Sequence, residues 1–180
     1  QAVSPRALAA ATCVAHRDNN ALDSISFPRL ISSTGDFYCL DNDTVASISW
    51  PVRAPIGDVL YVGGEDATGD AARNQSLATL DFASLATVAG DVELEYMGPI
   101  TEVAFPELAF VGGYLDIDYN THLETFAAPK LTSIDELEVN DNDRLEKVSL
   151  PLLATVTSNM MAIGVTEGNR IIHTPSTVLT

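Results

Sequence analysis

The sequence predicts an all-β fold, a solenoid of about six coils of roughly 22–23 residues each. Three observations carry this reading. First, Pro28, Pro51, Pro106, Pro129 and Pro151 recur at spacings of 23, 55, 23 and 22 along the chain. The gap of 55 holds two periods of 23 and an insertion of 9, with Ala83 in the proline slot. Internal periods of roughly 20–50 residues are the signature of stacked repeats, whose units bury an apolar face only against their neighbours. Second, each period carries a triplet whose outer residues are apolar and whose middle residue is polar or Tyr, the two-residue alternation of a strand with one buried face. Third, no stretch sustains helical periodicity.

The elements follow in chain order. Residues 1–26 are expected to form an N-terminal cap and a degenerate first coil from Pro5, with Asn19, Leu22 and Ile25 in repeat slots. Residues 27–163 hold the repeats. Pro28 leads to Leu30, the triplet Phe37-Tyr38-Cys39, Asn42, Val45 and Ile48, and Pro51 leads to Ile56 and Leu60-Tyr61-Val62. An insertion near 64–73 delays Leu77 and Leu80. Ala83 leads to Val92-Glu93-Leu94, Pro106 to Leu115-Asp116-Ile117, and Pro129 to Leu137-Glu138-Val139. Pro151 starts a last turn, and 164–180 is expected to cap the C-terminal end, because open solenoid ends expose strand edges. The whole chain thus reads as one domain. Gly35, Gly57, Gly90 and Gly112-Gly113 precede the main strands, where a corner needing positive φ is expected. Asn42, Asn120 and Asn142 follow the strands and read as a structural ladder bonding neighbouring backbone groups.

Composition narrows the function. The 180 residues are 46% hydrophobic, with 25 acids against 9 bases and a net charge of −16. Such a chain is a poor ligand for nucleic acid or anionic membrane surfaces, which require Lys and Arg clusters. No apolar run is long enough for a spanning helix. A start at Gln1, with neither Met nor a targeting segment, reads as a mature secreted form or a trimmed chain. Two cysteines, Cys13 and Cys39, leave open one disulfide or two buried thiols, and Asn42 and Asn74 head two glycosylation sequons. G-x-S-x-G, H-E-x-x-H and phosphate-loop motifs are absent, and the three histidines lie far apart in the repeat register.

The run from Phe105 through Gly112-Gly113-Tyr114-Leu115-Asp116-Ile117 to Asn120, Leu123 and Phe126 resembles the receptor L-domain repeat. Related units occur in insulin- and EGF-receptor ectodomains, in fungal cell-wall proteins and in secreted leucine-rich-repeat-like proteins. The resemblance covers roughly residues 27–163. It implies a right-handed β-helix, a secreted or cell-surface location, and a non-enzymatic role in adhesion, recognition or surface architecture. In that compartment a Cys13–Cys39 disulfide is expected, on neighbouring coils at slots three positions apart.

The outward strand positions are the candidate binding residues: Tyr38, Tyr61, Glu93, Glu95, Asp116, Asp118, Glu136 and Glu138. Two readings of this row are open. It is a solvated acidic face conferring solubility, or a binding face for Ca²⁺, a mineral or a cationic partner. Glu65, Asp66 and Asp70 in the insertion form a further, weak Ca²⁺ candidate; no other cofactor is expected. The favoured function is a non-enzymatic module recognising an extracellular protein, glycan or cation. The alternatives are a cell-wall or matrix structural protein without a defined ligand, and a β-helix carbohydrate-active enzyme, which needs close carboxylates at a cleft.

Overall fold

The triplets do form strands, and the strands lie side by side in register. The computed structural model describes residues 2–3, 10–11, 14–17, 21–51, 55–64, 75–158, 160–162 and 170–172, and among these there is no helix. Val14–Arg17, Phe37–Leu40, Leu60–Gly63, Val92–Glu95, Tyr114–Asp118, Glu136–Asn140 and Met160–Ala162 build one seven-stranded parallel sheet. Neighbouring strands in it come from successive coils, so each coil returns the chain to the same edge one strand spacing further on. The result is a β-solenoid whose number of coils is close to the six expected.

Two sets of shorter strands close the other faces. Ser24–Ser26, Ser47–Ser49 and Thr79–Asp81 belong to one parallel sheet, and Glu102–Ala104, Thr125–Ala127 and Lys147–Ser149 to another. Thr87–Val88, Phe110–Val111, Ser133–Ile134 and Thr155–Val156 form the third face, which Ile56 joins to Ser33 through single bridges. Strand Arg170–Ile172 pairs with Lys147–Ser149. Coil stacking therefore runs on into the segment expected only to cap the C-terminal end.

The prolines occupy tight turns. In Phe105-Pro106-Glu107-Leu108 the Leu108 N–H donates to the Phe105 carbonyl at 3.2 Å, and Phe27–Leu30, Ala128–Leu131 and Leu150–Leu153 repeat the pattern. Proline at the second turn position supplies the required φ and gives up no ladder hydrogen bond.

The glycines work differently from the expectation. Gly57, Gly90, Gly112 and Gly113 do not have positive φ. They are required because the preceding coil lies too close for a side chain: a Cβ on Gly112 would sit 1.9 Å from the Ala89 carbonyl oxygen.

Inside, the rows Leu60–Val92–Leu115–Leu137 and Val62–Leu94–Ile117–Val139 are buried along the length of the main sheet. Each such side chain contributes about 1.5–3 kcal/mol of apolar burial. The slot before each turn proline adds an aromatic column. Phe27, Trp50, Phe82 and Phe105 follow one another at ring-centroid distances of 5.6, 6.3 and 5.7 Å, and Phe37 packs edge-on against Trp50 at 5.2 Å.

Cys39 lies on an inward slot as a buried free thiol, with its sulfur 3.6 Å from Asn42 Nδ2. The expected bridge to Cys13 is therefore not formed. Cys39 pairs in the ladder with His16, and its side chain is committed to the core; Cys13 lies outside the described residues.

Candidate functional site

The parallel register places the middle residue of every triplet on one outward row: Tyr38, Tyr61, Glu93, Asp116 and Glu138. The two tyrosine rings sit 6.3 Å apart at 59°. A second outward row, two residues on, carries Glu95, Asp118 and Asn140. Glu136 stands opposite Tyr114 and is half-buried.

These groups hold one another. Tyr61 donates its hydroxyl to Glu95 Oε2 at 2.8 Å, Tyr114 donates to Glu93 Oε1 at 3.1 Å, and Asn140 Nδ2 bridges Asp118 Oδ2 at 3.0 Å and Glu138 Oε1 at 2.8 Å. Asp118 is only 7% exposed, so it is a buried carboxyl held by Asn140 and not the surface acid that alternation alone suggests.

Such crowding shifts the acids. Burial, followed by the Asp118, Glu95 and Glu138 carboxylates, pushes Asp116 up to about 8. Its Oδ1 is sealed from water without a hydrogen-bond partner. Burial raises Glu95 too, opposed by the Tyr61 hydrogen bond and reinforced by Asp118. Near neutral pH Asp116 thus keeps a proton. Neutralising one acid in such a cluster relieves like-charge repulsion. Among the described residues no group of three or more His, Cys, Asp or Glu is arranged to hold a metal ion.

Other expected sites resolve as follows. Asn42 is fully buried and donates Nδ2 to the Leu40 carbonyl at 2.7 Å, so a glycan on that nitrogen is incompatible with this corner. Glu65, Asp66, Asp70 and Asn74 lie outside the described residues.

The residues following the main strands were not singled out by the sequence pattern. Asp41, Tyr96, Tyr119 and Asp141 occupy equivalent positions there, all with φ between 48° and 55°. Aspartate tolerates this left-handed region; tyrosine does so at a cost of about 1–3 kcal/mol. The Tyr96 and Tyr119 rings stack in parallel, 4.8 Å apart at 3°. Beside them opens a groove of about 540 Å³, lined by the two rings, Gly98-Pro99 and the polar Gln75, Thr121 and His122. The available signal was a tyrosine immediately before Met97 and another, one period further on, immediately before Asn120.

Comparison with protein-family models, curated proteins and solved structures finds no match to this chain.

Proposed function

We propose that the protein is a non-enzymatic recognition module, secreted or held at the cell surface, whose main sheet binds a cationic partner. One observation carries this reading: a single parallel sheet turns Glu93, Glu95 and Glu138 outward around the half-buried Asp116 and the buried Asp118, a contiguous acidic cluster. The net charge of −16 steers a basic partner toward it. The extracellular location rests on the resemblance of the repeat to receptor L-domains.

The test is an NMR titration with an octapeptide of alternating lysine and glycine. Amide shifts should cluster on residues 92–95, 114–118 and 136–140. Affinity should fall as salt rises, and the Glu93→Gln, Asp116→Asn, Glu138→Gln triple variant should lose it. Binding that ignores both salt and these substitutions would exclude the acidic face.

A second reading, a carbohydrate-active enzyme, draws on the protonated Asp116 beside the carboxyl of Asp118, since unequal neighbouring acids can divide acid and base roles. Release of reducing sugar from a polysaccharide panel, abolished in Asp116→Asn, would establish it.

A further inference from the structure

Among the described residues, four of the main strands are followed by a corner residue with positive φ, and two of those four are tyrosines. Their rings do not fill the core: Tyr119 is 44% exposed, and both rings face the groove. A strained backbone position carrying a large aromatic outside the core points to a binding surface.

The groove has the make-up of a ligand site, mostly apolar and aromatic with a few polar groups. Among the described residues, no Lys, Arg, Asp or Glu lines it. The charges acting on the Tyr119 hydroxyl are nevertheless all negative: Asp141, then Asp118 and Glu95, with Asp141 also hydrogen-bonded to it. An anion is repelled from such a place, and a neutral ligand gains nothing from the surrounding carboxylates. A planar cation gains from both, because it can stack on a ring face while the negative field of the nearby carboxylates attracts its charge. Guanidinium fits better than ammonium, being flat and more weakly hydrated. The groove also continues the acidic face, since Tyr96 directly follows Val92–Glu95 and Tyr119 directly follows Tyr114–Asp118.

We infer that the Tyr96–Tyr119 groove is an arginine-binding site, taking the guanidinium of a basic partner that the acidic sheet attracts. This rests on the acidic-face reading and adds a specificity that the sheet alone lacks, because a field of carboxylates treats arginine and lysine alike.

The experiment is calorimetric titration of the full chain with two octapeptides of equal charge, one alternating arginine and glycine, the other lysine and glycine. The arginine peptide should bind about three- to tenfold tighter. Tyr96→Gly and Tyr119→Gly remove a ring without changing charge and suit the positive φ, so they should stay folded by circular dichroism. Each should erase the arginine preference while leaving lysine-peptide binding in place, and Tyr119→Phe should keep the preference. Equal affinity of the two peptides for the wild-type chain would overturn the groove assignment and leave the acidic face standing. Binding of neither peptide would overturn the acidic face, and the groove with it. Binding of neutral cellohexaose that is lost in Tyr119→Gly would make the groove a glycan site and overturn the arginine assignment.

Discussion

Asn142 Oδ1 accepts the backbone N–H of Asn120, one coil earlier, at 3.0 Å. The same side chain donates Nδ2 to the carbonyls of Ile117 at 2.6 Å and Asn140 at 2.7 Å. Asn120 repeats the arrangement, accepting from Met97 N–H at 2.9 Å and donating to the Leu94 carbonyl at 2.7 Å. These amides satisfy backbone groups at the corner, where the left-handed residue has broken the strand ladder. Asn142→Ala should leave buried groups unpaired and cost about 2–4 kcal/mol. Guanidinium denaturation reads the loss, and hydrogen exchange at the Asn120 amide should accelerate. An unchanged midpoint would mean that water replaces the side chain at no cost.

Ile117 sits fully buried at the middle of the main sheet. Ile117→Asp places an unpartnered carboxylate there, at a cost of several kcal/mol out of a typical domain stability of about 5–15 kcal/mol. The variant should be unfolded or melt far below wild type, as read by the fluorescence of Trp50, the one tryptophan of the chain. A melt within a few degrees of wild type would contradict the inward register.

Asp116 makes stability depend on pH in an unusual direction. Its folded-state value lies near 8, against about 3.9 for an unfolded aspartate. Between those values the folded chain keeps a proton that the unfolded chain has lost, so this group lowers stability as pH rises from about 4 to about 8. The raised Glu95 adds in the same sense. The Asp116 side chain is only half-buried, with Oδ1 alone sealed off, and screening limits the effect to about 1–2 kcal/mol. Asp116→Asn should therefore match wild type at pH 4 and exceed it in melting temperature at pH 8. Equal pH profiles for the two proteins would dispose of this account.

Burial pushes the Cys39 thiol up to about 12, opposed by its contact with Asn42. The thiolate is the reactive form, so Cys39 should resist iodoacetamide in the native protein at pH 8 and react once unfolded. Peptide mass mapping distinguishes it from Cys13. Rapid native labelling of Cys39 would show that this part of the core opens readily.

Salt should stabilise the fold by screening the acidic face. Among the described residues no three acids are arranged to hold a metal ion, so CaCl₂ and NaCl at matched ionic strength should raise the melting temperature equally. An excess from Ca²⁺ that disappears in the Glu93→Gln, Asp116→Asn, Glu138→Gln variant would place a site on the sheet. An excess that survives those substitutions would place it elsewhere, with Glu65, Asp66 and Asp70 the first candidates.

Much of the fold is legible without coordinates. The proline period sets the coil, and Leu115-Asp116-Ile117 and its equivalents show which side chains face in and which face out. The asparagine slots mark the ladder that the structure contains. The acidic row was legible because residues at the same slot of successive repeats must become neighbours once the coils stack in register.

The chemistry of that row was not legible. Whether Asp118 is exposed or buried depends on where Asn140 reaches, and whether Asp116 keeps its proton depends on the burial and neighbours that stacking creates. The free thiol of Cys39, the sealed amide of Asn42 and the steric need for Gly112 are likewise products of close approach between coils. The sequence by itself determined the period, the strand faces and the charge, because these follow from residue type and spacing along one dimension. The period already makes Tyr96 and Tyr119 neighbours; tertiary structure alone decided that their rings stack outside the core beside a groove, at two corners with the same left-handed backbone. The direction in which a ring leaves the stack is set by backbone geometry at the corner, which no periodicity of residue types encodes.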